Sequence, residues 1–202
     1  MPEIDLNFLF ALISFYFVMY FTPGPNNSMV LASGLKFGFI KTIPHMVGIT
    51  LGHIFQLAVV CLGFGKIFQT YPEIQTILKY ICVLYLLYLS YQLIGTFESI
   101  KNETARPLKF SEAALFQVFN PKAWTISTAA ASGFLKTDAN LFISIFVIST
   151  IALIICPLSI APWAGFGSLI RRHIQNKKLR TFIEYLLAAL LFATALFILL
   201  ET

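Results

Sequence analysis

Apolar residues fall in six long blocks, at about 6–35, 43–65, 77–97, 113–135, 141–163 and 182–200, with short polar stretches between them. Most blocks reach the roughly 20 residues that a helix needs to cross a bilayer. The pattern predicts an all-α integral membrane protein with six transmembrane helices. The longest polar gap, Glu98 to Glu112, lies near the middle of the chain. One transmembrane domain over 1–202 is expected, with halves at about 1–98 and 110–202 and a cytoplasmic linker at 98–112.

Two blocks are interrupted. The first carries Phe21-Thr22-Pro23-Gly24-Pro25-Asn26-Asn27 in its middle. A proline lacks an N–H and clashes with the carbonyl four residues back. Pro23 therefore frees the carbonyl of Met19, and Pro25 frees that of Phe21. Asn26 and Asn27 are good N-caps for a helix starting near Ser28. The fourth block is broken at Asn120-Pro121-Lys122-Ala123-Trp124. Asn120 suits the N-cap and Pro121 the first helical position, and Pro121 frees the carbonyl of Gln117. Broken backbone at membrane depth must line a cavity or lie buried in protein. Lys122 would sit in a first helical turn, where the dipole disfavours a cation. It either faces a bound anion there or reaches out to the cytoplasmic surface.

The breaks belong to an internal repeat. Phe21-x-Pro23 followed by Ala32-Ser33-Gly34 matches Phe119-x-Pro121 followed by Ala131-Ser132-Gly133, at an offset of 98–99 residues. Three spans per half would send the second copy through the membrane inverted. The predicted fold is two three-helix inverted repeats, each opening with an interrupted helix. Paired broken helices of this kind are a pointer to a transporter binding site.

Composition agrees with the pattern. Of 202 residues, 58% are hydrophobic and 11% charged, against roughly 25% charged in soluble domains. No room is left for a separate soluble domain. The acidic start, Met1 to Asp5, does not match a signal peptide, so the first block is expected to stay. The net charge of +5 collects in loops and is not a nucleic-acid footprint. Lys36 and Lys41, then Lys101, Arg106 and Lys109, then Arg171, Arg172, Lys177, Lys178 and Arg180 fall in alternate loops, with Lys66, Lys79 and Lys136 opposite. The positive-inside rule makes the first group cytoplasmic and both termini external. A re-entrant first block would instead put the N-terminus inside. Cys61, Cys82 and Cys156 read as small buried hydrophobes.

His45, Gly48, Gly52, Gln56 and Gly63 share one face of the second span. Gly48 and Gly52, with Gly34, suit close helix packing. His45 and Gln56 need partners or a wet cavity. His53 lies round the helix from His45; no cysteine or carboxylate joins them, so no metal site is expected, but both are candidates for proton coupling. Tyr85, Tyr88 and Gln92 share a face, as do Thr125, Thr128 and Ser132; helix packing is the plainer reading of each. Tyr71, Tyr80 and Trp163 read as interfacial belt residues. Pro157 should kink the fifth span, and Ala188, Ala189, Ala193 and Ala195 give the last a smooth face.

Thr22-Pro23-Gly24-Pro25-Asn26, with Gly34, Gly38 and Gly48, resembles the N-terminal signature of the LysE/RhtB amino-acid exporters. Phe119-Asn120-Pro121-Lys122-Ala123 resembles that family's second motif, and the likeness extends over the whole chain in segment pattern and motif order. It implies a bacterial inner-membrane secondary transporter that moves amino acids or close derivatives outward on the proton gradient, with no cofactor. The run Trp124 to Phe134 departs from the aromatic-rich stretch ending in Pro-Gln-Phe that many members carry. The doubled Asn26-Asn27 resembles members that export cysteine or O-acetylserine.

The residues support a zwitterionic substrate independently. A carboxylate suits the helix starts at Asn27 and Lys122, and an ammonium suits the freed carbonyls of Met19, Phe21 and Gln117. The expected substrate-binding set is Thr22, Pro23, Gly24, Pro25, Asn26, Asn27, Gln56, Asn120, Pro121 and Lys122. The spans hold no firm interior acid, since Glu184 lies near a span end; this favours a small neutral amino acid over a basic one. Membrane lipid surrounds the chain, and a homo-oligomer stays open. An enzyme would need a nucleophile–base pair or carboxylate cluster, which the sequence does not offer. The competing readings are a scaffold without transport, which does not explain two broken helices, and an exporter of basic amino acids.

Overall fold

The structure is a computed structural model that describes residues 6–64, 70–94, 106–135, 141–173 and 177–200. Lys66, Lys101, Lys136, most of the 98–112 linker and the side chains of Gln92, Lys177, Arg180 and Glu184 lie outside the described residues. The described residues are helical and contain no strand. The helices are α1 (Leu6–Phe21), α2 (Pro25–Phe37), α3 (Phe39–Val59, continued by a π-helical turn Val60–Phe64), α4 (Pro72–Leu93), α5 (Phe110–Phe119), α6 (Pro121–Phe134), α7 (Leu141–His173) and α8 (Lys177–Leu200).

Both sequence-predicted breaks are helix ends. α1 stops at Phe21, and α2 departs from it at 57°. α5 stops at Phe119 and α6 starts at Pro121. By length and apolar composition three single helices can cross a membrane, Phe39–Gly63, Leu141–His173 and Thr181–Leu200, and the bent α1–α2 pair makes four. The apolar stretches of α4 and α5 are shorter, at Thr76–Tyr91 and Phe110–Phe119. This is a multi-pass membrane protein. α7 is longer than its apolar block, at 33 residues or roughly 50 Å, because it carries on past Pro157 and Pro162 to a basic end at Arg171 and Arg172.

α2 lies at the centre, between two apolar cores. Val30 joins Tyr16, Tyr20, Ile49, Ile126 and Ile160 on one side, while Met29, Leu31 and Leu35 join Leu86, Phe116, Leu187 and Leu191 on the other. A helix buried on several sides should be apolar or small all round, and α2 is so except at its polar start and at Lys36 in its last turn. Its tightest contact is with α7: a Cβ added at Gly34 would run into the carbonyl of Ala164, and one at Gly167 into that of Leu31. α3 meets α5 in the same manner. A Cβ at Gly52 would stand 2.6 Å from Ala114 Cα, and one at Gly48 would strike the carbonyl of Phe110.

The structure corrects several expectations. Gly63 packs on nothing within 4 Å; its φ of 101° instead belongs to the turn that ends α3, a conformation that favours glycine. Gly133 has open space where its repeat partner Gly34 is packed. Trp163 packs partly buried against both cores, 6.3 Å from the Phe21 ring. Thr125 and Thr128 spend their hydroxyls on the carbonyls of Pro121 and Trp124 in their own helix, which leaves little for a partner. Ala188 and Ala195 are buried, but Ala189 and Ala193 face outward. Cys61, Cys82 and Cys156 are free and buried, as expected of small apolar side chains.

Candidate functional site

The first break starts at Pro25, not Ser28. Proline fits a first helical position because its missing N–H would have no intrahelical partner there. That choice moves Asn26 and Asn27 inside α2, and neither caps it; Gly24 holds the N-cap place without a side-chain bond. Asn27 turns backward. Its Nδ2 donates to Thr22 O at 2.7 Å, Tyr20 O at 2.9 Å and Phe21 O at 3.4 Å. One buried amide thus serves the carbonyls that the end of α1 leaves bare. Thr22 Oγ1 donates to Met19 O at 3.0 Å.

The second break is built as the sequence predicts. Asn120 Oδ1 accepts from Lys122 N at 3.1 Å, an N-cap bond, with Pro121 at the first position. The carbonyl of Gln117, freed by Pro121, accepts from Gln56 Nε2 of α3 at 3.0 Å. The carbonyls of Met19, Phe21 and Gln117 therefore do not await an ammonium; each already accepts a side-chain bond within the chain.

The two breaks are joined directly. Asn26 Nδ2 donates to Gln117 Oε1 at 2.9 Å, and Gln117 Nε2 donates back to Asn26 Oδ1 at 3.2 Å. Lys122 crosses the other way: its Nζ donates to Thr22 O at 2.6 Å, Thr22 Oγ1 at 2.9 Å and Pro23 O at 3.2 Å. The lysine therefore does not reach for the membrane surface. Gly24 makes room for it, since a Cβ there would lie 2.7 Å from Lys122 Cδ. Of the expected set, Thr22, Pro23, Gly24, Asn26, Asn27, Gln56, Asn120 and Lys122 are gathered through these contacts, with Pro25 and Pro121 shaping the helix starts.

Between the breaks lies a cavity of about 20 Å³, enough for about one water. Gly24, Asn27, Asn120 and Lys122 line it, with His53, Tyr20 and Cys156. No acid lines it among the described residues. His53 stands edge-on to the Tyr20 ring at 5.3 Å, and its Nε2 has no hydrogen-bond partner among the described residues. His45 is equally buried, with neither ring nitrogen partnered among those residues, but it does not line the cavity. Sequence reasoning passed over the side chains of Gln117 and Tyr20, and read Cys156 only as a small buried hydrophobe. An amide such as Gln117 in an apolar span is itself a signal, because it must find a partner inside the bundle.

The description LysE type translocator matches residues 17–202. The chain belongs to this family. The translocator is accordingly a transporter and not an enzyme. It is similar to a leucine efflux protein of Enterobacter sp. (strain 638), with 25% identity over 86% of this chain and 85% of that one. It is also similar to cysteine/O-acetylserine efflux proteins of Salmonella choleraesuis (strain SC-B67) and Salmonella typhimurium, each at 24% identity over 83% of this chain and 86% of the relative. No solved structure matches it.

Proposed function

We propose that this translocator exports amino acids or close derivatives across the bacterial inner membrane. The observation that carries this reading is the meeting of two broken helices, cross-tied through Asn26–Gln117 and Lys122–Thr22, around a small polar cavity. Relatives that carry amino-acid efflux names, matched over more than four fifths of both chains, support it. With room for about one water, the site is too small for an amino acid as it stands, and a cargo must part the breaks to enter.

The packing supports six spans in two inverted halves. On that reading the spans are α1–α2, α3, α4, α5–α6, α7 and α8. The broken span of each half packs on the second span of the other: α1 and α2 on α7, and α5 and α6 on α3. The two second spans, α3 and α7, touch, and so do the two third spans, α4 and α8. Exchanging the halves leaves this set of partners unchanged, as a pseudo-two-fold axis requires.

A small neutral cargo fits best, because the cavity already carries one cation, Lys122, and no acid among its described lining residues to pair with a second, cationic side chain. That argues against export of basic amino acids, and family membership argues against a scaffold without transport. Proton coupling would fall to His53 at the cavity, with His45 further along the same helix. Cells that overproduce the protein and are fed dipeptides test the reading. The expected result is faster release of a neutral amino acid, such as cysteine, O-acetylserine or leucine, than from cells making the Pro23→Ala, Pro121→Ala variant. Equal release of every amino acid tested would overturn it.

A further inference from the structure

Lys122 poses a charge problem that its surroundings resolve in an unexpected way. An ammonium group has three N–H donors, and three oxygens receive them: Thr22 O, Thr22 Oγ1 and Pro23 O. All three are neutral, and Lys122 has no carboxylate in ion-pair range among the described residues. Its own helix start disfavours a cation, but Thr22 follows the last residue of α1, where the dipole favours one. The cluster therefore has the acceptor count, polarity and field of a site for a primary ammonium. It adjoins the cavity, which Gly24 and Lys122 both line.

We propose that these three oxygens form the site for the cargo's α-ammonium, which Lys122 fills while the transporter is empty. The inference rests on the amino-acid exporter reading and adds the cargo's required chemistry. An arriving α-ammonium replaces Lys122 Nζ on the same oxygens. The released Lys122 ammonium then pairs with the cargo's carboxylate, forming a charge-assisted bond. No proton or covalent bond changes hands; one ammonium is exchanged for another. A cargo must carry both groups close together. An N-acylated amino acid has no ammonium to take the oxygens, and a simple amine cannot displace Lys122 because it offers the released lysine no carboxylate.

Lys122→Ala leaves the oxygens without their ammonium and tests the site in purified protein without any transport. Thermal unfolding in detergent micelles is measured with rising ethylammonium chloride, with tetramethylammonium chloride as a control of equal ionic strength that has no N–H. The variant is expected to melt lower than the native protein and to regain several degrees saturably with ethylammonium alone, as a ligand of the folded state must cause. Native protein should gain nothing, because Lys122 already holds the site. A folded Lys122→Ala variant that responds equally to both salts would overturn the proposal. If that variant does not fold, Thr22→Val removes one oxygen and keeps the helix. Acylation of Lys122 by a small amine-reactive ester, followed by mass spectrometry, should then run several-fold faster than in native protein; equal rates would overturn the proposal. Export without rescue would remove the ammonium site alone, whereas rescue without export would remove the exporter reading alone.

Discussion

The reciprocal amide pair between Asn26 and Gln117 links the two halves directly, and its strength can be worked out in advance. The pair comprises two neutral hydrogen bonds, 2.9 and 3.2 Å long, between residues 91 positions apart. Each such bond contributes about 1 kcal/mol net. Comparable polar pairs within membrane helices measure about 0.6 kcal/mol on average and about 1.7 at most. A double-mutant cycle on Asn26→Ala and Gln117→Ala should therefore give a coupling of about 1–2 kcal/mol. Gln117→Ala alone should cost more than Asn26→Ala, because Gln117 Nε2 also donates to Ala113 O at 3.0 Å. At about 2–4 °C per kcal/mol for a chain of this size, the coupling corresponds to roughly 2–8 °C. Thermal unfolding of the four purified proteins in one detergent reads it directly. Effects that add to within about 0.3 kcal/mol, as they do for independent sites, would show that the breaks do not touch through this pair.

Other consequences follow from the same contacts. Gly34→Ala forces a Cβ into the Ala164 carbonyl, so it should lower stability by about 1–3 kcal/mol or more, while Gly133→Ala should be nearly neutral; equal melting of the two variants would contradict the packing of α2 on α7. Pro23→Ala with Pro121→Ala lets the carbonyls of Met19 and Gln117 return to helical bonds in competition with Thr22 Oγ1 and Gln56, so transport should be lost while membrane insertion persists, as read by export and by membrane yield. At the polar edge before the fourth apolar block, Glu112 takes a guanidinium bond from Arg106 and the Lys109 N–H, and these hold its pKa near 2 against an ordinary 4.5. A lowered carboxylate pKa stabilises the fold above the ordinary value and is lost as pH falls from about 4.5 through 2. NMR titration of Arg106→Gln should find the Glu112 midpoint moved up toward 4.5, and an unmoved midpoint would rule out the pairing. A reporter fused at Asp5 should read as external if the α1–α2 pair crosses the membrane, and a cytoplasmic reading would make that pair re-entrant.

The parts of the fold that were legible in the sequence are those governed by short-range chemistry. Pro23, Pro25 and Pro121 lack the amide that a helix interior requires, so both breaks fall where they were placed. Asn120 sits one residue before a proline, where an N-cap belongs. Gly48 and Gly52 lie one turn apart, and both meet α5. What failed was a competition between two local rules. Asn26 and Asn27 are good caps, but Pro25 starts the helix before them, and their amides were left to find other partners. The long-range pairings were not readable at all. Nothing local joins Lys122 to Thr22, Asn26 to Gln117 or Gly167 to Leu31, because each pair depends on how two halves of the chain dock. The same limit explains why Gly34 and Gly133, alike in the repeat, end in different surroundings.

Purified protein in liposomes tests the central claim most directly. Vesicles loaded with labelled amino acids, one at a time, are given a proton gradient and their efflux is timed. The account predicts saturable efflux of a small neutral amino acid, little efflux of lysine or arginine, and none from the Pro23→Ala, Pro121→Ala variant at equal incorporation. Efflux no faster than from empty liposomes for every amino acid, or efflux undiminished in that variant, would contradict it.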